Sequence, residues 1–536
     1  MKHISIKFTS LATLLAAALL TSCSEKLNTA PEDYFGAGNY WTTPEQVRGF
    51  MQSIGNNVRN ITFNHTIRFG ELGAGIYRDN KGSNGNELAD KAIRLHTLGP
   101  DVPGVASWGG YYAAIANVNL FIQKVIDISF MEAAEHDYLL AQAYGIRALY
   151  YFDLYRIYGG VPLRLRADVA DDGVTDVNAL YLARSTASAT MTQILKDVNE
   201  SIRLFGSQNG FNPYGMGNKC YWNLAASKCL AAEIHMWNAK VSVSDFSANS
   251  SEMAEAINLL TSVENDFGLA LLPSFADVFD ASNKANAEVV FAVRYAEGEA
   301  TNSNASWLYP TAVGFTVNDA YDVNGEKFGD RLQLVTGANQ VYEYIPQMFL
   351  QYDATDSRAL GTFTNTYSKA NNGTLTMEGN LCTKNIGAVN AQGQRIMCGD
   401  YIYYRLPWVY LALAEAYNFQ GQDQLVKTYI DKVRERAYAS NWDANTYGFA
   451  PGSFAENELA ILAEKDKEFV QEGQRWWDLR RMMLTKNDES THLIFRAEAS
   501  HTGTPVLQSS EAFRVLWPIS TTIRANDPLV DQNPGY

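Results

Sequence analysis

Glu468 and Glu472 stand four residues apart in the segment Glu464 to Arg481, EKDKEFVQEGQRWWDLRR, with Arg475, Asp478 and Arg481 following. On a helix, spacings of three and four residues share a face, so Glu468, Glu472 and Arg475 line up. Paired carboxylates of this kind can serve as general acid and base, as in glycoside hydrolysis. The same pattern also builds a salt-bridged helix packed on a scaffold, with Glu472–Arg475 and Asp478–Arg481 as ion pairs. That structural reading is favoured, because no other motif marks a reacting centre. Arg147 and Asp153, on an aromatic-rich stretch, are likewise expected to satisfy buried partners. Gly70-Glu71-Leu72-Gly73-Ala74-Gly75 has the wrong spacing for a dinucleotide or phosphate loop, and no GxSxG elbow occurs. The seven His are scattered, with no HExxH, and there is no CxxC, so neither a metal nor a cofactor is expected.

The elements that must position these residues are mostly helical. Helices are predicted over 108–128, 133–158, 186–205, 219–241 and 252–264, and again over 404–419, 422–438 and 455–484. Gly159-Gly160-Val161-Pro162 stops the second of them. Thr43-Pro44 offers a cap and a first helical residue for an earlier one. Short, Ala-rich helices in consecutive pairs suggest a tetratricopeptide-like scaffold. Between about 268 and 400 helix periodicity is lost and Gly, Asn, Ser and Thr are frequent. Glu288 to Val293 is a short strand-like run, and 365–399 is loop-rich with small sheets at most.

The chain of 536 residues carries 43 Lys+Arg against 58 Asp+Glu, a net charge of −15. An acidic chain with no basic patch is a poor nucleic-acid binder. The N-terminus reads as a targeting segment: Lys2 and Lys7, an apolar run from Leu11 to Leu20, then Leu20-Thr21-Ser22-Cys23, which resembles a bacterial lipobox. Cleavage before Cys23 would remove residues 1–22 and leave Cys23 for lipidation, a membrane tether that needs no spanning helix. Of the other cysteines, Cys220 and Cys229 lie about 13 Å apart along a helix, too far for a bridge. Cys382 and Cys398 flank a polar loop, where a disulfide is possible.

Three segments together resemble the SusD/RagB family of Bacteroidetes outer-membrane nutrient-binding lipoproteins. The first runs from Ala141-Gln142-Ala143-Tyr144 through Tyr151-Phe152-Asp153-Leu154 to Gly159-Gly160-Val161-Pro162. The second is Glu464 to Arg481, where Lys465 stands at a usual Arg. The third is Trp517-Pro518-Ile519 and Gln532-Asn533-Pro534-Gly535-Tyr536, with Ser520 in place of a usual Pro. Leu411-Ala412 and Ala414-Glu415-Ala416 also fit. The resemblance implies a mainly α, tetratricopeptide-like scaffold with a loop-rich ligand-binding part. It divides the chain into a signal peptide (1–22), a tether (23–37), a helical-repeat part (38–267), a loop-rich part (268–400) and a C-terminal helical part (401–536), all forming one unit.

The family resemblance further implies a non-enzymatic, lipid-anchored protein on the outer face of the outer membrane. It would capture an oligosaccharide and deliver it to a SusC-type TonB-dependent transporter. The alternatives are a peptide-importer component and a helical glycosidase or lyase. Sugar rings stack their C–H faces on aromatic planes and hydrogen-bond through their hydroxyls, so ligand residues are sought among aromatics in irregular segments. These are Tyr77, Arg78, Asp79 and Asn80, then Trp307 and Tyr309 in the ASWLYP stretch, and Tyr342. Trp307 stands out, because its small polar neighbours would not bury it.

Overall fold

The computed structural model describes residues 40–79, 88–105, 107–170, 173–211, 213–215, 218–303, 320–333 and 342–536. Cys23, Asn80, Trp307 and Tyr309 therefore lie outside the described residues. For Asp79 and Tyr342 the backbone is placed. The chain divides into two units, Met1–Gly49 and the compact Phe50–Tyr536. Within the first, the Thr43 hydroxyl accepts from the Gln46 N–H at 3.4 Å, where α1 (Pro44–Phe63) begins.

The scaffold is helical, as its apolar periodicity predicts. After β1 (Tyr77–Asp79) and α2 (Leu88–Arg94) come α3 (Gly109–Val125), α4 (Ala133–Tyr158), α5 (Ala187–Phe205), α6 (Leu224–Lys240) and α7 (Glu252–Asp266). Each packs on the next from α3 to α7, the pairwise stacking of a tetratricopeptide-like array. Local chemistry sets the ends. Thr186 and Asn223 cap α5 and α6, accepting from Ala189 N–H at 3.1 Å and Ala226 N–H at 2.9 Å. Gly159, at φ 74°, ends α4. Helix α4 is buried along most of its length, so its polar residues need partners. Arg147 makes a two-pronged bond to Asp197 of α5, at 2.8 and 2.7 Å. Asp153 takes Arg156 at 2.8 Å, His65 at 2.8 Å and the Tyr111 hydroxyl at 2.9 Å.

The chain then leaves the array and returns. β2 (Val289–Val293) pairs antiparallel with β8 (Tyr401–Arg405), which runs into α10 (Leu406–Phe419). Between them lie β3 (Tyr342–Tyr344), α8 (Gln347–Leu350), α9 (Arg358–Thr362), the hairpin β4 (Phe363–Lys369)–β5 (Leu375–Cys382), and the small pair β6 (Ala388–Val389)–β7 (Arg395–Ile396). The hairpin is more regular than the polar composition of 365–399 indicates. Returning, α10 packs on α7, on α11 (Asp423–Tyr438) and on α12 (Phe454–Glu468), so the scaffold is sewn from two distant stretches.

The predicted helix over 455–484 is broken. It splits into α12 and α13 (Arg475–Arg481), with Gln471 at φ 68° and Gly473 at φ 72° between them. A helix cannot pass through left-handed residues, and at position 473 only Gly fits. A Cβ on Gly473 would lie 2.8 Å from the Thr66 Cα. On both sides of α14 (Thr521–Asn526) the C-terminal segment straps back onto α4. Trp517 N–H donates to Ile157 O at 2.8 Å, and the Asn533 amide to Trp517 O at 2.7 Å and Tyr158 O at 3.2 Å. The four described cysteines are free. Cys382 and Cys398 thus do not pair; the Cys382 thiol donates to Gln471 Oε1 at 3.4 Å, and burial pushes it up to about 12.

His492 makes stability pH-dependent. Its Nε2 bonds Lys240 O at 3.0 Å, and burial, with Lys240 and Arg480 nearby, lowers its pKa to about 4. Below the unfolded value of about 6.5 the unfolded chain takes up a proton that the folded chain refuses. Stability should therefore be lost as pH falls from about 6.5 towards 4, by about 2 kcal/mol at pH 5. Urea unfolding of His492→Gln, which keeps a donor and does not titrate, should show a flatter slope over that window. An unchanged slope would refute the assignment.

Candidate functional site

The expected site segments attach to one small sheet. β1 and β3 run antiparallel, with Tyr77 opposite Tyr344, Arg78 opposite Glu343 and Asp79 opposite Tyr342. The Asp79–Tyr342 pair is where segments 80–87 and 334–341 join the described chain. β3 packs on β5 of the hairpin. Tyr321 exchanges both backbone bonds with Tyr367 of β4, at 2.8 Å each, which fixes the chain just after segment 304–319. A small core of Ala320, Phe328 and Leu381 sits beneath this junction. Asp79, Ala320 and Tyr342, each at one end of these three segments, thus lie around the β4–β5 hairpin.

The exposed side of this junction is polar. Arg78, about a third exposed, donates to Glu343 at 2.6 Å and to the Glu378 carbonyl at 2.6 Å. Ser368 donates to the Glu378 carboxylate at 2.8 Å, and Asp322 pairs with Arg331 at 2.6 Å. The Tyr321 ring carries Lys327 and Lys369, 4.5 and 5.5 Å from its centroid. Tyr77 departs from expectation. Its ring is 4% exposed, and its hydroxyl donates to Glu71 Oε2 at 2.6 Å. Tyr344 donates to the same oxygen at 2.7 Å, and the Gly473 N–H to Oε1 at 3.0 Å. A ring so enclosed offers no face to a ligand. Tyr77 instead ties the strand pair to the helical body, because a buried carboxylate must be satisfied on every side. Burial raises the Glu71 pKa, against the lowering effect of these three donors.

The carboxylates that the sequence offered for acid–base work are engaged elsewhere, in a buried charge cluster. Arg405, fully buried, reaches Glu468 at 2.6 Å, Glu472 at 2.8 Å and Glu288 at 2.9 Å. Glu468 also takes Arg436, and Arg358 at 3.1 Å; Glu472 also takes Lys384. Burial alone would raise Glu468, but Arg436, Arg405 and Arg358 hold it well below the usual carboxylate range. An acid so held can neither donate a proton near neutrality nor meet a substrate. The expected Glu472–Arg475 pair does not form, since the break after α12 turns the two apart; Arg475 pairs with Asp466 instead. Asp478–Arg481 does form, at 2.6 Å, and both belong to a second cluster around Glu415 and Lys465. Sequence reasoning missed Arg405, Arg436, Arg358, Lys384 and Glu288, whose partners lie far along the chain. The available signal was a charge inside an apolar run, as in YIYYRLPW. Among the described residues no group of His, Cys, Asp and Glu is placed to hold a metal ion, and no helix is long and apolar enough to cross a membrane.

This architecture is that of a helical-repeat scaffold carrying small two-stranded sheets. Residues 331–536 match the family described as the SusD family, and residues 51–213 match one described as starch-binding and associating with the outer membrane. A SusD superfamily protein of Bacteroides fragilis is 45% identical, over 93% of this chain and 100% of its own, with a TM-score of 0.87. NanU of the same species is 27% identical over 95% and 100%, with a TM-score of 0.80. SusD-like protein P38 of Formosa agariphila is 23% identical over 100% of this chain and 99% of its own. The chain belongs to the SusD/RagB family.

Proposed function

We propose that this protein captures glycan at the cell surface and passes it to a SusC-type TonB-dependent transporter, held to the outer membrane by lipid on Cys23. The observation that carries the reading is that Asp79, Ala320 and Tyr342, where segments 80–87, 304–319 and 334–341 join the described chain, lie around one hairpin, beside a polar junction in which Arg78 is already paired with Glu343 and Arg331 with Asp322. Paired charges hydrogen-bond neutral hydroxyls without demanding a charged ligand. The family description as starch-binding supports the same class. Arg78 supplies donors, and Asp79, Asn80 and Tyr342 stand at the root of the segments. Trp307 and Tyr309 supply the stacking faces that Tyr77 does not. The carboxylates of EKDKEFVQEG are neutralised in the interior, which speaks against the glycosidase alternative.

Calorimetry and a glycan array on residues 24–536 test the reading. Trp307→Ala should weaken the glycan so identified by about 1–3 kcal/mol with the melting curve unchanged. Unaltered affinity would remove Trp307 from the site. Preference for peptides over all glycans would overturn the ligand class. Cys23→Ala should release the protein from the membrane fraction, and a tagged wild-type protein should co-purify with a barrel transporter. Retention of Cys23→Ala in the membrane would refute the anchor.

A further inference from the structure

A cavity of about 520 Å³ lies among the turn after α6, the segments following α13 and the C-terminal tail. None of its lining residues belongs to the hairpin junction. Its wall is largely apolar, including Val243, Ile494, Phe495, Phe513 and Leu516, and it contains Arg480. That size is in the range of small-molecule sites.

Arg480 is the unusual member. It is 3% exposed, yet among the described residues no carboxylate lies within ion-pair distance of it. Its neighbours on α13 behave differently: Arg481 sits on Glu415 and Arg475 on Asp466. Arg480 donates once, from Nη1 to the Arg156 carbonyl at 2.6 Å, and stacks near Trp237 and Trp477, at 5.0 and 5.9 Å. Glu489, the carboxylate in the cavity lining, is bonded to Ser242, through its N–H at 2.9 Å and its hydroxyl at 2.5 Å. His492, also in the wall, is held neutral. Burial and the nearby Arg156 push Arg480 down to about 9, as expected for a cation without a counter-ion. A buried, uncompensated cation is costly, and an anion entering the cavity would relieve that cost.

We propose that this cavity is a second ligand site, which takes a small amphipathic carboxylate with its acyl chain along the apolar wall and its head paired to the Arg480 guanidinium. Arg offers a planar fork that matches a carboxylate, and the wall rewards burial of aliphatic carbons.

Octanoate and 1-octanol, which differ at the head group, are suitable probes in calorimetry with the whole mature protein. Octanoate should bind at least tenfold more tightly than the alcohol. Arg480→Gln should reduce octanoate to the affinity of the alcohol, and Ala512→Trp, at an exposed position on the rim, should abolish both. Arg480 stacks on two tryptophans, so its variant must first melt like the wild type. Where it does not, the alcohol comparison tests the charge and Ala512→Trp tests the place. No octanoate binding to the wild type, equal affinity for acid and alcohol, or full octanoate binding by folded Ala512→Trp would each overturn the proposal.

Discussion

Arg405→Leu should lower the stability of the folded protein by about 3–5 kcal/mol, the cost of removing one partner from a buried ion cluster. The substitution puts an apolar side chain at this position of β8 and strips Glu288, Glu468 and Glu472 of their shared guanidinium. Arg436 still reaches Glu288 and Glu468, Arg358 still reaches Glu468, and Lys384 still reaches Glu472, so the cluster is weakened rather than emptied. Glu472 keeps one cation where it had two, inside a region closed to water. Domains of this kind are stable by only about 5–15 kcal/mol, so a loss of this size is plain in a denaturant midpoint. Adding Glu472→Gln to Arg405→Leu should recover part of the loss, because it removes the charge left short of a partner. A change below about 1 kcal/mol for Arg405→Leu would show that the cluster contributes little beyond its own desolvation cost.

Gly473→Ala should cost about 2–4 kcal/mol, from two sources. The residue sits at φ 72°, where a Cβ is strained, and that Cβ would meet the Thr66 backbone at 2.8 Å. The site has no slack, since Trp476 N–H is bonded to Gly70 O at 2.8 Å and the Gly473 N–H to Glu71. Moving this turn also disturbs Glu71, which holds Tyr77 and Tyr344 and so the root of the proposed site. Glycan affinity should therefore fall together with stability. Gly55→Ala is the control: it lies in α1 with nothing within 4 Å of the added Cβ, and it should be neutral or stabilising by up to about 1 kcal/mol. Equal melting curves for both variants would refute the packing argument at Gly473.

Much of the scaffold was legible because helices are local objects. The bounds of α4 match the predicted 133–158, since its apolar run and the Gly159-Gly160 stop lie next to each other in sequence. α5 is equally plain from the apolar spacing over 186–205. The helix over 455–484 was misread because periodicity continues through Phe469 to Gln474, while the contact that forces the break, Gly473 against Thr66, comes from some four hundred residues away. The Asp478–Arg481 pair was readable as a three-residue spacing; Arg475 with Asp466 was not, because a turn intervenes. Tyr77 has polar neighbours in sequence, but its exposure is decided by Glu71 and Tyr344, which no local pattern connects to it.

The sequence by itself determined the helical scaffold and the family. Each depends on residue type at short spacing or on an ordered set of motifs. Tertiary structure alone decided which carboxylates are silent, which ring is enclosed, which arginine lacks a counter-ion, and that Asp79, Ala320 and Tyr342 lie around one hairpin. Those properties depend on distance and dielectric between groups far apart in the chain, and burial sets both only after the helices have packed.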